Sequence, residues 1–437
     1  MNTSTFADLN LSTPLFNALN DQGITHPTPI QERTFSAMMA GNDVIGIAQT
    51  GTGKTIAYLL PCLRLWKFSK DKLPQTLILV PTRELVVQVV EEINKLTAYM
   101  NIVSVGVYGG ANIRTQKDAI YKGLDILVAT PGRLLDLALD GTLKTKTIKR
   151  LVIDEVDEML SLGFRPQLER IFDILPPKRQ NLMFSATLSD EVDTLISTYF
   201  KTPQRIEAAP TGSPLENISQ VAYQVPNHNT KLNLLNHILG LEEMERVLLF
   251  AGSRKLADKL YEHLESEFPG EAGVIHSNKA QNTRFRAVEN FAEGKQRILI
   301  ATDILSRGID ITGVSHVINF DVPDVLENYI HRIGRTGRAE VKGDSITFIR
   351  EKDAEMISQI EQYMNMEIPR KPLPDEVEIS EVLIGDELER VHMPGSKVKI
   401  KKIESGHAFH EKKEKNKKVN VRKTRAQQMR EKYNKPR

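Results

Sequence analysis

The stretch Leu151-Val-Ile-Asp-Glu-Val-Asp157 places three apolar residues directly before a group of carboxylates. The apolar residues 151–153 predict a strand that is buried on both faces. Asp154 and Glu155 then emerge at the carboxyl end of this strand, where open α/β sheets bind their ligands. A carboxylate pair at that edge suits a hydrated Mg²⁺ ion and an attacking water. A solvated acidic turn is the alternative, and this stretch alone does not decide between the two.

Short apolar strands recur on both sides of this stretch, separated by segments with helical periodicity. Strands that alternate with helices indicate parallel sheets with right-handed crossovers. The predicted fold class is therefore α/β, with two tandem parallel-sheet domains. The predicted strands are 76–80, 125–129, 151–153 and 181–184 in the first set, and 246–250, 297–301, 316–320 and 345–348 in the second.

A segment rich in proline, glycine and serine at 208–214 separates the two sets of strands and indicates a break between domains. We therefore predict a first domain over residues 1–209, a short linker over 210–217 and a second domain over 218–370. Residues 371–437 are an acidic segment followed by a Lys/Arg-rich C-terminal tail, which we expect to be disordered.

Composition limits the classes of protein that the chain can belong to. It has 437 residues, of which 40% are hydrophobic and 26% charged, as in soluble globular proteins. The single cysteine, Cys62, excludes an internal disulfide and a multi-cysteine zinc site. The first residues lack a signal-peptide pattern, and no apolar run is long enough to span a membrane. We expect a cytoplasmic protein that does not bind membranes.

The formal net charge of +2 conceals an uneven distribution. Residues 397–437 contain 16 Lys and Arg against 4 Asp and Glu, so this tail carries +12 and residues 1–396 carry −10. A basic tail on an acidic body favours binding to nucleic acid or another polyanion. A solubilising tail without a ligand is an equally good interpretation of charge alone.

A predicted strand, loop and apolar helix follow one another at 44–47, 48–55 and 56–65. The loop reads Ala48-Gln-Thr-Gly-Thr-Gly-Lys-Thr55 and matches the phosphate-binding P-loop, except that alanine replaces its first glycine. Its glycines let backbone N–H groups face phosphate oxygens. Lys54 would contact the β- and γ-phosphates, and the Thr55 hydroxyl would ligate Mg²⁺. A chance glycine loop is the alternative, but the three elements follow in the order that a nucleotide site requires.

Further motifs follow in a fixed order along the chain. They are Phe6 with His26-Pro-Thr-Pro-Ile-Gln31, Pro81-Thr-Arg-Glu-Leu85, Gly109-Gly110, Thr130-Pro-Gly-Arg133, Ser185-Ala-Thr187, Gln281-Asn-Thr-Arg284, Ala301-Thr-Asp303, Arg307-Gly-Ile-Asp310 and His331-Arg-Ile-Gly-Arg-Thr-Gly-Arg338. Together with the P-loop, they make the chain resemble the DEAD-box ATP-dependent RNA helicases of superfamily 2, in their bacterial form, over roughly residues 6–370. The resemblance implies two RecA-like domains and ATP and Mg²⁺ as cofactors.

The resemblance also implies roles for individual residues. Glu155 would orient or deprotonate water, Lys54 would bind phosphate, and Arg335 and Arg338 would be arginine fingers. Gln31 carries both a donor and an acceptor with which to read adenine. The implied ATP-binding set is Phe6, Gln31, Ala48, Gln49, Thr50, Gly51, Thr52, Gly53, Lys54, Thr55, Asp154, Gly308 and Asp310, with Thr55 and Asp154 on the metal.

Two further groups of residues complete the expectation. Asp157, Ser185, Thr187 and His331 would couple hydrolysis to RNA unwinding, with Asp157 accepting hydrogen bonds from Ser185 or Thr187. RNA would be held mostly by phosphate and sugar, independently of sequence. The implied RNA contacts are Thr82, Arg83, Gly110, Thr130, Arg133, Arg284 and Thr302. For Thr82 and Thr130, a local capping role is nearly as good an interpretation.

The motif that names the family ends in Ala-Asp, whereas this chain has Val156-Asp157. Strand alternation is expected to turn Val156 into neighbouring packing, so that activity is retained. The leading hypothesis is a monomeric, RNA-stimulated ATPase that unwinds short duplexes or remodels RNA–protein complexes, with ribosome or RNA-decay partners. An ATP-gated RNA clamp or scaffold with little hydrolysis is the alternative, and a DNA translocase is a third interpretation.

Overall fold

The computed structural model describes residues 5–48, 52–207, 217–303, 313–337, 342–384 and 387. They form two parallel sheets with flanking helices, which confirms the predicted fold class. Most of the predicted linker and the basic tail lie outside the described residues.

The first sheet contains seven strands. They are β1 Val44–Ile47, β2 Thr76–Leu79, β3 Ser104–Val107, β4 Ile126–Ala129, β5 Arg150–Ile153, β6 Gln180–Ser185 and β7 Gln204–Glu207. The helices around it are α1 Thr13–Asp21, α2 Pro29–Met39, α3 Lys54–Arg64, α4 Arg83–Leu96, α5 Ile113–Tyr121, α6 Pro131–Leu139, α7 Val156–Ser161, α8 Arg165–Ile174 and α9 Asp190–Tyr199.

The second sheet also contains seven strands. They are β8 Ile218–Gln224, β9 Val247–Phe250, β10 Ala272–Ile275, β11 Ile298–Ala301, β12 His316–Asn319, β13 Gly343–Ile349 and β14 Arg370–Lys371. Its described helices are α10 His228–Leu239, α11 Arg254–Glu267, α12 Gln281–Ala292, α13 Leu326–Ile333 and α14 Ala354–Met364.

The two sheets have the same strand order. It is β3-β4-β2-β5-β6-β1-β7 in the first and β10-β11-β9-β12-β13-β8-β14 in the second, with parallel pairing between the described strands. Strand β5 is central in its sheet, and its side chains alternate between two hydrophobic clusters. Val152 packs on one face, and Leu151 and Ile153 pack on the other. The carboxylates that follow β5 are therefore held at the middle of the sheet edge.

The explanation expected for the burial of Val156 is wrong. Strand β5 ends at Ile153, and Glu155 adopts a left-handed backbone with φ 52° and ψ 51°. Val156 is the first residue of α7, where its side chain is fully buried in the cluster that contains Leu151 and Ile153. Its methyl groups do meet packing, as expected, but the turn of a helix places them there.

The chain remains packed on the second sheet beyond residue 370. Strand β14 pairs with β8, and Val377 lies in the hydrophobic core. Asn227 Nδ2 donates to the carbonyl of Ser380, and the backbone N–H of His228 donates to Glu387. The described part of the acidic segment is therefore attached to α10. No helix among the described residues is both long and apolar enough to cross a bilayer.

Candidate active site

The phosphate loop ends at Gly53, whose φ of 84° favours glycine. A β-carbon there would collide with the amide of Gln31. Lys54 begins α3 and is 7% exposed, and its ammonium has no hydrogen-bond partner among the described residues. A buried cation without a hydrogen-bond partner at a helix N-terminus fits a phosphate group. Gln49, Thr50 and Gly51 lie outside the described residues.

The two carboxylates after β5 are buried beside this lysine. Burial raises the pKa of Asp154 and of Glu155, and the nearby Lys54 ammonium offsets part of each shift. The left-handed backbone of Glu155 is uncommon for a residue with a side chain, and such strain concentrates at functional sites. The Thr55 hydroxyl, one residue after Lys54, and the Asp154 carboxylate are the kinds of oxygen ligand that Mg²⁺ takes alongside substrate phosphates, and they would hold the ion.

The second domain contributes an arginine to the same site. Arg335 is 4% exposed. Burial raises the pKa of Glu155, and the positive charge of Arg335, like that of Lys54, offsets part of this rise. Both side chains line one small cavity together with Lys54, Asp157 and His331. The structure therefore brings together the predicted phosphate-binding lysine, the predicted base and one predicted arginine finger. Arg338, Gly308 and Asp310 lie outside the described residues.

Asp157 connects the strand edge to the Ser-Ala-Thr motif. Its Oδ2 accepts hydrogen bonds from the backbone N–H groups of Ala186 and Thr187 at 3.2 and 3.1 Å, and from the Thr187 hydroxyl at 3.1 Å. The Ser185 hydroxyl donates to the carbonyl of Thr187 at 2.6 Å, so Ser185 is not a donor to Asp157. His331 Nε2 lies 4.0 Å from Asp157 Oδ2, which extends this network to the second domain.

The residues expected to bind adenine have protein partners in this structure. Gln31 Oε1 accepts from the backbone N–H of Thr28 at 2.9 Å, and its Nε2 donates to the Gly53 carbonyl at 3.2 Å. Thr28 Oγ1 donates to the Thr52 carbonyl at 3.0 Å. Gln31 therefore links the start of α2 to the phosphate loop. The Phe6 ring is 1% exposed inside the first core, so it is a packing residue here and not an exposed stacking surface.

Most predicted RNA contacts lie at the carboxyl ends of neighbouring strands. Thr82 caps α4, with its hydroxyl accepting from Leu85 at 3.3 Å, and Thr130 precedes α6 without a side-chain cap. Gly110 has a φ of 79°, and a β-carbon there would collide with the Arg83 guanidinium. Thr302 follows β11 and is 8% exposed. Neighbouring strands of the first sheet thus place Thr82, Gly110 and Thr130 at one edge, and Thr302 lies at the corresponding edge of the second sheet.

Two of the predicted RNA contacts have protein partners across the domain boundary. Arg284 forms an ion pair with Glu84 at 2.9 Å, and the two side chains are only 7% and 6% exposed. Gln281 Oε1 accepts from Arg83 at 2.9 Å and from Arg284 at 2.8 Å. We call Arg83, Glu84, Gln281 and Arg284 the interdomain clasp. Glu84 and Gln281 were missed because local periodicity cannot show that residues about 200 positions apart meet.

Another predicted RNA contact is largely engaged within its own domain. Arg133 is 9% exposed and donates to Gln116 Oε1 at 2.8 Å and to the Ala111 carbonyl at 3.3 Å. In this structure Arg133 fixes the start of α6 against the loop after β3.

The sequence also did not reveal how the arginine-finger segment is held. Arg332 lies in α13 and is 1% exposed. Its guanidinium donates to both carboxylate oxygens of Asp303, at 2.5 and 2.8 Å, and to the Asp321 carbonyl at 2.6 Å. A bidentate pair of this kind fixes orientation as well as distance. Arg332 therefore attaches the helix before Arg335 to the ends of β11 and β12.

Comparison with known proteins identifies the family of this chain. Residues 28–195 match the DEAD/DEAH box helicase family, and residues 230–340 match the helicase conserved C-terminal domain. The chain belongs to the DEAD-box ATP-dependent RNA helicases. It is 36% identical to DbpA of Bacillus subtilis over 86% of this chain and 78% of that protein. It is also 36% identical to RhlB of Shewanella sediminis, over 83% of this chain and 85% of that protein.

Solved structures show the same fold in this family. Mss116p bound to single-stranded RNA and AMP-PNP aligns with a TM-score of 0.79 at 28% identity, covering 85% of this chain and 80% of that one. Dbp5 of S. cerevisiae bound to RNA and ADP-BeF₃ aligns with a TM-score of 0.78 at 31% identity, covering 85% and 96%. A variant of Dbp5 bound to Nup159, Gle1, IP6 and ADP reaches only 0.60. The two RNA-bound relatives therefore superpose on this DEAD-box chain with higher TM-scores than that variant does.

Proposed function

We propose that this helicase hydrolyses ATP with Mg²⁺ only when its two domains close on RNA, and that closure separates short duplexes or remodels RNA–protein complexes locally. The observation that carries this proposal is the position of Arg335 beside Glu155. The two residues belong to different domains, yet they line one cavity with Lys54. The similarity to the RNA- and nucleotide-bound relatives supports the same conclusion.

Three side chains of the cavity, Lys54, Glu155 and Arg335, have separate tasks in phosphoryl transfer. The Lys54 ammonium neutralises phosphate charge, and Glu155 accepts a hydrogen bond or proton from the attacking water. Arg335 stabilises the charge that develops in the transition state, a contribution of roughly 10³–10⁵ in rate for an arginine finger. Thr55 and Asp154 would hold Mg²⁺, which would supply positive charge to offset that of the phosphates. Because Arg335 comes from the second domain, separation of the domains removes it from the site.

RNA would be held along the sheet edges by hydroxyl, guanidinium and backbone groups. These groups recognise phosphate and sugar, so binding should be independent of sequence. Arg83 and Arg284 lie at the same edge, where the clasp joins the two domains. A strand of RNA bound across both domains and ATP bound in the cleft would favour one closed state, and their binding would therefore be reciprocal.

The experiment that tests this function compares steady-state ATP hydrolysis, with and without RNA, between the wild type and Glu155→Gln. The exposed Glu242→Gln is a matched control because it makes the same chemical change outside the site. We expect RNA to stimulate the wild type and the control, and Glu155→Gln to bind RNA without turnover. A Glu155→Gln variant as active as the wild type would refute the assignment. Low hydrolysis by the wild type with RNA would favour the ATP-gated clamp.

We propose further that the protein works in the cytoplasm as a monomer. Its targets would be ribosomal RNA or RNAs that are being degraded. The single cysteine and the sequence-independent contacts support this setting. Crosslinking in cells followed by sequencing of bound RNA tests the target, and light scattering tests the oligomeric state. The proposed target would be contradicted if neither ribosomal RNA nor RNAs undergoing degradation were enriched. The monomeric state would be contradicted by a dimer that persists at all protein concentrations.

A further inference from the structure

A second, larger cavity lies between the domains, beside the coupling network. Its volume is about 390 Å³. Five carboxylate side chains line it, and the described lining residues include no lysine or arginine. The carboxylates are Asp157 and Glu158 of the segment after β5, Asp190 and Glu191 of α9, and Glu327 of α13. Both domains therefore contribute negative charge to one space.

Part of this acidity has a local explanation. Asp157 and Glu158 stand in the first turn of α7, Asp190 and Glu191 in the first turn of α9, and Glu327 in the first turn of α13. Carboxylates at helix N-termini interact favourably with the helix dipole. That interaction accounts for each acid in its own helix, but it does not account for the presence of Asp190, Glu191 and Glu327, from both domains, around one cavity that His331 also lines. Burial raises the pKa of Tyr363 to about 12, and the charges of Glu327 and Asp157 add to this effect. The negative potential therefore comes from both domains.

An independent feature indicates that the cavity receives a donor. Asn328 lines the cavity and is 9% exposed, and its Oδ1 has no hydrogen-bond partner among the described residues. A buried acceptor left without a donor is unfavourable, because it has lost its hydrogen bonds to water without replacing them. Its neighbours in the cavity are mostly acceptors as well, so the missing partner is a group that brings N–H donors and positive charge.

The distribution of the carboxylates decides which kind of cation fits. Within the described ranges, no group of three or more His, Cys, Asp and Glu side chains could hold a single metal ion. The acids are instead spread over α7, α9 and α13, and Leu160 and Val325 provide apolar wall between them. A cation whose charges are separated by methylene groups matches this pattern. The volume lies within the range of small-molecule sites.

We propose that this cavity binds a linear aliphatic polyamine, whose ammonium groups pair with carboxylates of both domains and whose methylene chain packs on Leu160 and Val325. Because the ligand touches both domains, it binds the closed arrangement more tightly than the open one. By linkage it then favours closure on RNA. The effect on RNA rests on the function proposed above, whereas binding of the polyamine itself does not.

The test is calorimetric titration of the full chain with spermine in the absence of RNA, since spermine also binds RNA. We expect saturable binding that is weakened about two- to fivefold by Glu191→Gln and by Glu327→Gln, as for exposed ion pairs, and about tenfold by the double variant. Asn328→Asp should tighten binding by adding a carboxylate to the cavity.

The control is the double variant Glu242→Gln/Glu262→Gln, which makes the same change in net charge at exposed positions elsewhere. Unchanged binding in this control supports the cavity as the site. Equal weakening in both double variants would show diffuse attraction only and would overturn the proposal. It would also be overturned if spermine failed to saturate while an arginine-rich peptide bound, because the occupant would then be a protein partner. Glu155→Gln distinguishes this proposal from the proposed function. If the variant loses RNA-stimulated hydrolysis but still binds spermine, the polyamine site does not depend on the ATPase assignment.

Discussion

For the interdomain clasp, two explanations of the role of Glu84 predict opposite changes in RNA affinity when this residue is substituted. Glu84→Gln removes one charge of the ion pair with Arg284, which is 2.9 Å long and almost fully buried. If Glu84 only adds negative charge near bound RNA, its removal should strengthen RNA binding. If the pair holds the domains together, its removal should weaken binding, because Arg284 is left buried in the closed state without its partner.

The size of the effect follows from the burial of both side chains. Removing one partner of a buried pair costs about 3–5 kcal/mol, and a hydrogen bond to a charged group contributes about 1.5–3 kcal/mol. Glutamine still offers Arg284 a carbonyl oxygen, so we take about 2–3 kcal/mol for the loss. At about 1.4 kcal/mol for each factor of ten, closure becomes about 30- to 150-fold less favourable. The open state loses nothing, since water solvates both groups there.

The assay is the apparent affinity for single-stranded RNA in the presence of a non-hydrolysable ATP analogue, together with RNA-stimulated hydrolysis. Glu91→Gln is the control because Glu91 is exposed on the same helix, α4. We expect weaker RNA binding and a higher RNA requirement in Glu84→Gln, with an unchanged melting temperature. Tighter RNA binding, or affinity equal to that of the control, would refute the clasp.

Three other predictions concern stability and the tail. Val156→Ala restores the residue usual in the family but removes two methyl groups from a fully buried site. The variant should lower the free energy of unfolding of the first domain by about 1–3 kcal/mol, measured with urea, and leave ATP hydrolysis intact. A variant of unchanged stability that no longer hydrolyses ATP would contradict this prediction. Although burial opposes it, the Lys231 ammonium lowers the pKa of Asp321. The ionised Asp321 carboxylate therefore stabilises the folded state at pH values above its pKa in the unfolded chain, about 3.9. This stabilisation is lost as the pH falls through the lower pKa of the folded state. Asp321→Asn should remove that dependence from acid unfolding of the second domain, and an unchanged pH profile would count against it. Deleting residues 397–437 should flatten the log–log salt dependence of RNA affinity by about 0.7 for each single-strand phosphate that the tail neutralises. An unchanged slope would exclude the tail from RNA binding.

The α/β class, the two sets of strands and the order of the motifs could be predicted from the sequence alone. These features depend on local patterns, namely apolar runs of strand length and polar clusters after them. Since parallel strands end at one edge of a sheet, the residues after each strand could be placed together without coordinates. The P-loop lysine, the carboxylates after β5 and the Ser-Ala-Thr motif were predicted correctly as neighbours for this reason.

Which side chains are available to a ligand depends on tertiary contacts that the sequence patterns do not show. Phe6 is packed in the core, Gln31 contacts the phosphate loop, and Arg284 pairs with Glu84. The left-handed turn at Glu155 starts a helix where strand alternation was expected. These outcomes depend on contacts between residues far apart in the chain and on the arrangement of two domains. The packing of sheets and domains determines such contacts, and the period of a local sequence pattern carries no information about them.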